Sequence, residues 1–324
     1  MRDAVIKIIT EAARKDRDIM FLSADFGAPA LDEFRRDLPD QFVQTGIAEQ
    51  HMIDLAAGLA LSGKRVFCYA MAPFITCRCY EQIKCSLSSM NLPVTLIGVG
   101  VGLGYDSSSM THVAVEDIAI MRAINHMEIL TPADNVMAEM MVRLTLEKPA
   151  LRYLRLDRQL QPTIYGMVNS KNNGVLDCGF TKLRDGHIAT IIACGNLVHS
   201  ALVVSKNLNP HLVKAYGIGV IDIFRVKPID GILLAEMLAD TRNILTIEEQ
   251  LLEGGMGAAV IEALIEATGD IRWKVKRLGL RDGFSLINGD RIDLHAHFGI
   301  DIKTIEEAVL GPWSKNRERT REIQ

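Results

Sequence analysis

The sequence predicts two α/β domains in series, each a three-layer α/β/α unit on a mostly parallel sheet. Three observations carry this. Short, near-continuous apolar runs alternate with stretches of helical spacing through residues 53–156, the pattern of strands buried on both faces. A polar, turn-forming stretch, Gln159–Asn173, interrupts the alternation, which then restarts. The 324 residues are too many for one average domain and comfortable for two.

Taken in order, short strands are expected to end near Asp25 and at Gly46. Ile53–Leu61 is apolar on nearly every side, which marks a buried helix, and Gly63 suits its left-handed cap. Strands follow at Arg65–Tyr69 and Val94–Val101, then a helix at Val115–Ala123 and a strand at Glu128–Leu130. Thr131-Pro132 leads into a helix over Ala133–Glu147, where Pro suits the first positions. Ala150–Leu156 closes the first unit as a strand. Pro162, Gly166, Ser170 and Lys171 then give linker composition, which sets the domains at 1–165 and 175–324. In the second unit the expected strands are Ile188–Ala193, Leu212–Val220, Asn243–Ile247 and Arg272–Leu278. The helices between them are Val198–Lys206, Ile229–Leu238 and Gly257–Thr268.

Composition narrows the function. With 48% hydrophobic and 23% charged residues, the chain reads as a soluble globular protein with substantial cores. A formal charge of -4 offers no long-range attraction to nucleic acid or acidic membranes. The start, Met1-Arg2-Asp3-Ala4, lacks the apolar stretch of a secretory signal, and no apolar run is long enough to span a bilayer. Six cysteines in this length do not make a disulfide framework, and Cys77, Cys79 and Cys85 lack zinc spacing. The expectation is reduced thiols and a cytoplasmic location. Gly98, Gly100, Gly102 and Gly104 follow a strand but miss the dinucleotide spacing, so they read as a ligand-lining loop or as turn chemistry alone, and not as a nicotinamide site.

The chemistry is concentrated in Gly46-Ile47-Ala48-Glu49-Gln50-His51. Taken alone, Glu49 in the first turn of a helix complements the helix dipole. Its company says more. This run, with Ala56-Ala57-Gly58-Leu59-Ala60, Tyr80-Glu81-Gln82, Thr111-His112, Glu116-Asp117-Ile118 and Arg155-Leu156-Asp157-Arg158, resembles the pyrimidine-binding domain of transketolases and deoxyxylulose-phosphate synthases. Lys227-Pro228-Ile229-Asp230 and Glu248-Glu249 before Gly254-Gly255 are similar to the family's C-terminal domain, so the resemblance covers nearly the whole chain.

The resemblance implies a thiamine diphosphate enzyme. Glu49 would bond the cofactor's aminopyrimidine and favour the imino form that deprotonates the thiazolium carbon. A carboxyl in a dry site is suited to share that proton. Phe74 and Tyr80 match aromatic positions around the pyrimidine, with Cys77 where a third aromatic often stands, and Asp25 matches an Asp near the cofactor. His112 matches a proton-transfer or substrate group. Arg158 matches a sugar-phosphate ligand, the alternative being a surface Arg paired with Asp157. Two departures touch the substrate end. Ser108 stands where the loop usually carries an Asp that meets a substrate hydroxyl, making Ser108 the substrate-binding candidate there, and Gly100 stands where many transketolases place a His.

The family binds the diphosphate through Mg²⁺ held by Gly-Asp-Gly and, roughly 25 to 30 residues on, Asn-Asn. Gly269-Asp270 and Gly289-Asp290 do not continue that motif. The resemblance therefore implies half of a split transketolase, with Mg²⁺ held mainly by an N-terminal-half partner in an α2β2 heterotetramer. The activity implied is transfer of a two-carbon ketol unit between sugars. The alternative is a deoxyxylulose-phosphate-synthase-like or 2-oxoacid-decarboxylating enzyme.

Overall fold

Strand residues of alternating direction, apolar on both sides, build the centre of this molecule. The computed structural model describes residues 1–24, 28–166, 173–211, 217–281, 289–311 and 313. The first sheet contains β1 (Ile19–Ser23), β2 (Phe42–Gln44), β3 (Arg65–Met71), β4 (Val94–Val99), β5 (Glu128–Leu130) and β6 (Arg152–Leu156). On β3, Val66, Cys68 and Ala70 enter one apolar core while Phe67 and Tyr69 enter the other, as the two-residue period of a strand requires. The helix Glu49–Leu61 supplies Met52 and Ile53 to the first core; Arg2–Ala13 and Asn135–Glu147 supply Ile9 and Met141 to the second. Truncating one such buried Leu or Ile to Ala costs about 2–5 kcal/mol.

The second sheet contains β7 (Phe180–Arg184), β8 (Ala189–Ala193), β9 (Ile218–Ile223), β11 (Asn243–Leu251) and β12 (Lys274–Leu280), in the order β12-β11-β8-β9-β7. Its strands are parallel except β7. Between them in sequence, β10 (Arg225–Lys227) leaves for the first sheet, where it pairs antiparallel with β5 and gives the order β10-β5-β6-β4-β3-β1-β2. One apolar cluster runs from Met52 and Leu96 through to Ile221, Ile244 and Val260, so the two units share a core.

The α/β reading and the parallel sheets are borne out. Gly63 is left-handed beyond the helix end (φ 87). Pro132 is not in the following helix, however: the helix begins at Asn135, because the Asp134 carboxylate caps it by accepting from the Met137 N–H at 2.8 Å. The strand expected over Leu212–Val220 is regular over Ile218–Ile223; residues 212–216 lie outside the described residues. The helices Arg291–Phe298 and Ile302–Leu310, capped by Asp290 and Asp301, are additions to the expected set. No helix among the described residues is long and apolar enough to cross a membrane.

Candidate active site

Glu49 opens its helix and is 4% exposed. Burial of a lone carboxylate is costly, and Arg78 meets it: Nη1 donates to Glu49 Oε2 at 2.7 Å. Arg78 in turn stacks on Phe74, its guanidinium carbon 4.3 Å from the ring centroid. Phe74 lies edge-on to the His112 imidazole, with centroids 5.4 Å apart. His112 makes a second edge contact with Tyr105 at 5.9 Å, and Arg158 lies over that ring at 5.0 Å. An unbroken line of contacts thus runs from buried Glu49 to exposed Arg158. It joins four of the residues singled out in the sequence through two that were not, Arg78 and Tyr105.

The loop between β4 and His112 explains how these groups converge. Gly100 leaves β4 in the left-handed region (φ 78), donating to Leu156 O at 2.9 Å. Residues 106–111 then wind into a 3₁₀ turn. Ser108 serves that turn with its backbone: its N–H donates to Tyr105 O at 3.0 Å, and its carbonyl accepts from Thr111 Oγ1 at 3.2 Å. The Thr111 oxygen is also 2.7 Å from His112 Nδ1. With the hydroxyl hydrogen given to Ser108, Nδ1–H must donate to Thr111, which leaves Nε2 of a neutral His112 as the acceptor.

Asp157 is not the partner of Arg158. It accepts from Arg291 Nη1 at 2.8 Å, and Arg291 also grips Glu249 through Nε (2.7 Å) and Nη2 (2.5 Å). His295 Nε2 is 2.5 Å from the same carboxylate. Burial pushes Glu249 up, but the charge of Arg291 and the bonds from His295 and Arg291 hold it well below the usual carboxylate range. This cluster reaches the loop, since Leu103 N–H donates to Glu249 Oε2 at 3.3 Å. A Cβ on Gly102 would lie 2.3 Å from that oxygen, so the approach needs glycine. Deeper still, Arg155 and Tyr153 donate to Asp117 at 2.8 Å, tying two of the resemblance motifs into one buried strut.

Tyr80 packs half-buried on the core beside the helix Glu49–Leu61. Its helix also carries Gln82, whose buried Oε1 has no donor among the described residues. Asp25 lies outside the described residues. Arg78 could have been noticed as the one cation inside the Phe74–Tyr80 run; nothing in the local sequence marks the cluster of Asp157, Glu249, Arg291 and His295.

The transketolase pyrimidine-binding domain family matches residues 1–163, and the transketolase C-terminal domain family matches residues 180–305. The chain belongs to the transketolase family. Family, fold class and transferase activity class are therefore as the motifs implied. This transketolase-family chain is 34% identical to one of the subunits of the apulose-4-phosphate transketolase of Phocaeicola vulgatus over 310 residues, covering 95% of this chain and 96% of that protein. It is 30% identical to a 6-deoxy-6-sulfo-D-fructose transketolase subunit of a Clostridium species, covering 95% and 92%. The solved structure of a split-gene transketolase, an inactive beta4 tetramer, matches with a TM-score of 0.80 at 30% identity, covering 95% of this chain and 96% of that one.

The residues present fit thiamine diphosphate, on which transketolases depend. Glu49 is a desolvated carboxyl whose partner Arg78 is 41% exposed and so displaceable from the solvent side. Gln82 Oε1, on the same short helix as Tyr80, is buried without a donor among the described residues. Phe74 offers an aromatic wall.

Proposed function

We propose that this chain is the half of a split transketolase that seats the aminopyrimidine of thiamine diphosphate and the sugar, and that a second polypeptide completes it. The observation that carries the reading is the continuous contact line Glu49–Arg78–Phe74–His112–Tyr105–Arg158. Its buried end suits a ring nitrogen and its exposed end suits an anion. When bound, thiamine diphosphate supplies the nucleophilic carbon that takes up and hands on a two-carbon unit. Glu49 holds the pyrimidine and shares a proton with it, through the carboxylate whose Oε2 Arg78 meets. Phe74 and Tyr80 exclude water from that ring. His112 moves a proton at a sugar hydroxyl through Nε2, and Arg158 takes the anionic end of a sugar phosphate by its two parallel N–H donors.

The diphosphate and Mg²⁺ fall to the partner, since these 324 residues contain no Gly-Asp-Gly and the pair Asn172-Asn173 therefore follows none. An α2β2 assembly follows from two halves each repeated by symmetry. The phosphorylated or sulfonated sugars named for the relatives support an anionic ketose as donor. The test is to co-express the chain with a polypeptide carrying Gly-Asp-Gly and Asn-Asn, then assay two-carbon transfer between phosphorylated sugars. A pair that binds thiamine diphosphate but releases CO₂ from pyruvate, with no transfer, would sink this reading in favour of the decarboxylating one.

A further inference from the structure

The space beyond the end of β4 is filled by an unexpected ring. A Cβ on Gly100 would lie 1.9 Å from Tyr105 Cε2 and 2.2 Å from Cδ2, so the Tyr105 ring occupies the volume that a side chain at position 100 would take. That ring has Arg158 at 5.0 Å over one face and the His112 imidazole at 5.9 Å, inclined by 63°. The chain is anchored on both sides of Tyr105, through the Leu103 backbone and through the Asp106 side chain. Leu103 N–H donates to Glu249 Oε2 at 3.3 Å, and Arg291 N–H donates to Asp106 Oδ2 at 3.2 Å. Both anchors belong to the buried cluster of the C-terminal unit, where the Glu249 and Arg291 side chains are each 5% exposed. The segment that carries the ring is therefore held from the side of this buried cluster.

We propose that Tyr105 is a specificity-determining residue: it presets Arg158 for the anionic end of the sugar and keeps His112 beside it. The proposal deepens the ketol-transfer reading and rests on it for the identity of the substrate. The physical reason lies in the shape of a guanidinium. A cation–π contact uses its flat face and leaves the in-plane N–H groups free for a bidentate phosphate. An exposed Arg already held against a ring loses less freedom when the anion arrives. A chain with glycine at position 100 and a ring at 105 thus builds its substrate end from the loop, where a side chain on the strand end would otherwise stand.

The experiment compares Tyr105→Leu, which removes the ring, with Tyr105→Phe, which keeps it, in the complex assembled with the partner half. Tyr105→Leu should raise KM for a phosphorylated ketose about 3- to 10-fold, with any fall in kcat from the loosened His112 smaller than the rise in KM. An unphosphorylated analogue should show no such rise, and Tyr105→Phe should rescue most of the loss. A second arm needs no turnover: inorganic phosphate is titrated into the complex with ¹³C-labelled histidine, and the His112 resonance is followed. Tyr105→Leu should move that resonance through the lost ring current and weaken phosphate by a similar factor. Unchanged phosphate affinity in the Leu variant, or a Phe variant as damaged as Leu, overturns the proposal. Intact phosphate effects in a wild-type complex that transfers no ketol unit overturn the ketol-transfer reading and leave the anion-positioning role standing.

Discussion

Arg291 and Asp157 form a 2.8 Å ion pair, 5% and 3% exposed, between the first turn of a C-terminal helix and the end of β6. Burial pushes the Asp157 carboxyl up, against the pull of Arg291, so the pair is held together under desolvation. Charges arranged this way are unforgiving of a missing partner.

Arg291→Met should accordingly destabilise the chain by about 3–5 kcal/mol, because Glu249 and Asp157 stay buried without their cation. Denaturant unfolding reads this directly. The triple change Arg291→Met, Glu249→Gln, Asp157→Asn should recover much of the loss. A single-variant cost near zero would mean that water reaches the cluster.

Glu49→Gln should abolish turnover while the complex still assembles. A Gln keeps the shape but cannot share the proton, and a general acid–base contribution is worth about 10²–10⁴-fold. Hydrogen–deuterium exchange at the thiazolium carbon is the direct measurement, and wild-type exchange in the variant would remove Glu49 from its role.

The isolated chain should bind thiamine diphosphate weakly even with Mg²⁺ present, since the proposed arrangement leaves the diphosphate to a partner and Arg78 pairs with Glu49. Calorimetry on the pure chain tests this. Sub-micromolar affinity would contradict the split arrangement.

Arg158→Ala should raise KM for a phosphosugar by about 10- to 100-fold, from the loss of roughly 1.5–3 kcal/mol per charged hydrogen bond. If the contact serves ground and transition states alike, kcat changes little. Equal losses for an unphosphorylated analogue would argue for general damage, and the Asp157 pairing has no part in either outcome because Arg291 holds that carboxylate.

A pH effect follows from Asp222. Burial raises its pKa to about 7, against the hydrogen bond from Tyr165 Oη at 2.7 Å and with some help from Asp134. The folded chain then binds a proton that the unfolded chain, with an ordinary Asp, has released. Stability contributed by this group is therefore present at low pH and is lost as pH rises from about 4 to about 7. Asp222→Asn should flatten that part of the profile and raise Tm more at pH 8 than at pH 5. Equal shifts at both pH values would show that Asp222 does not titrate in this window.

Most of the architecture is legible in the sequence because strands buried on both faces announce themselves locally: β3, β5, β6 and β8 fall within a few residues of their expected places. The motifs around Glu49, Phe74 and His112 are read instead through the family resemblance, and the contact line brings those three residues together. What escapes depends on contacts between distant segments. Arg78 gains its meaning from Glu49, 29 residues away, and Arg291 from Asp157, 134 residues away. Arg158 is the nearest cation to Asp157 in the chain, and adjacency misleads: a buried carboxylate takes the buried cation. Tyr105 is invisible because its role requires Gly100 to fold back under it, which no spacing encodes.

Strand β10 has an implication for how the molecule is made. Arg225 and Lys227 complete the outer edge of a sheet whose other members all precede residue 157, and Lys227 Nζ also donates to Arg122 O at 2.7 Å and Ile124 O. During synthesis the N-terminal sheet must wait, with β5 as a bare edge, until the ribosome has delivered some seventy residues more (157 to 227). Cutting the gene at the polar joint would make that delay permanent, yielding a fragment primed for edge-to-edge aggregation. The joint that looks like a natural place to divide the chain is therefore a poor one, because a strand from beyond it closes the first sheet.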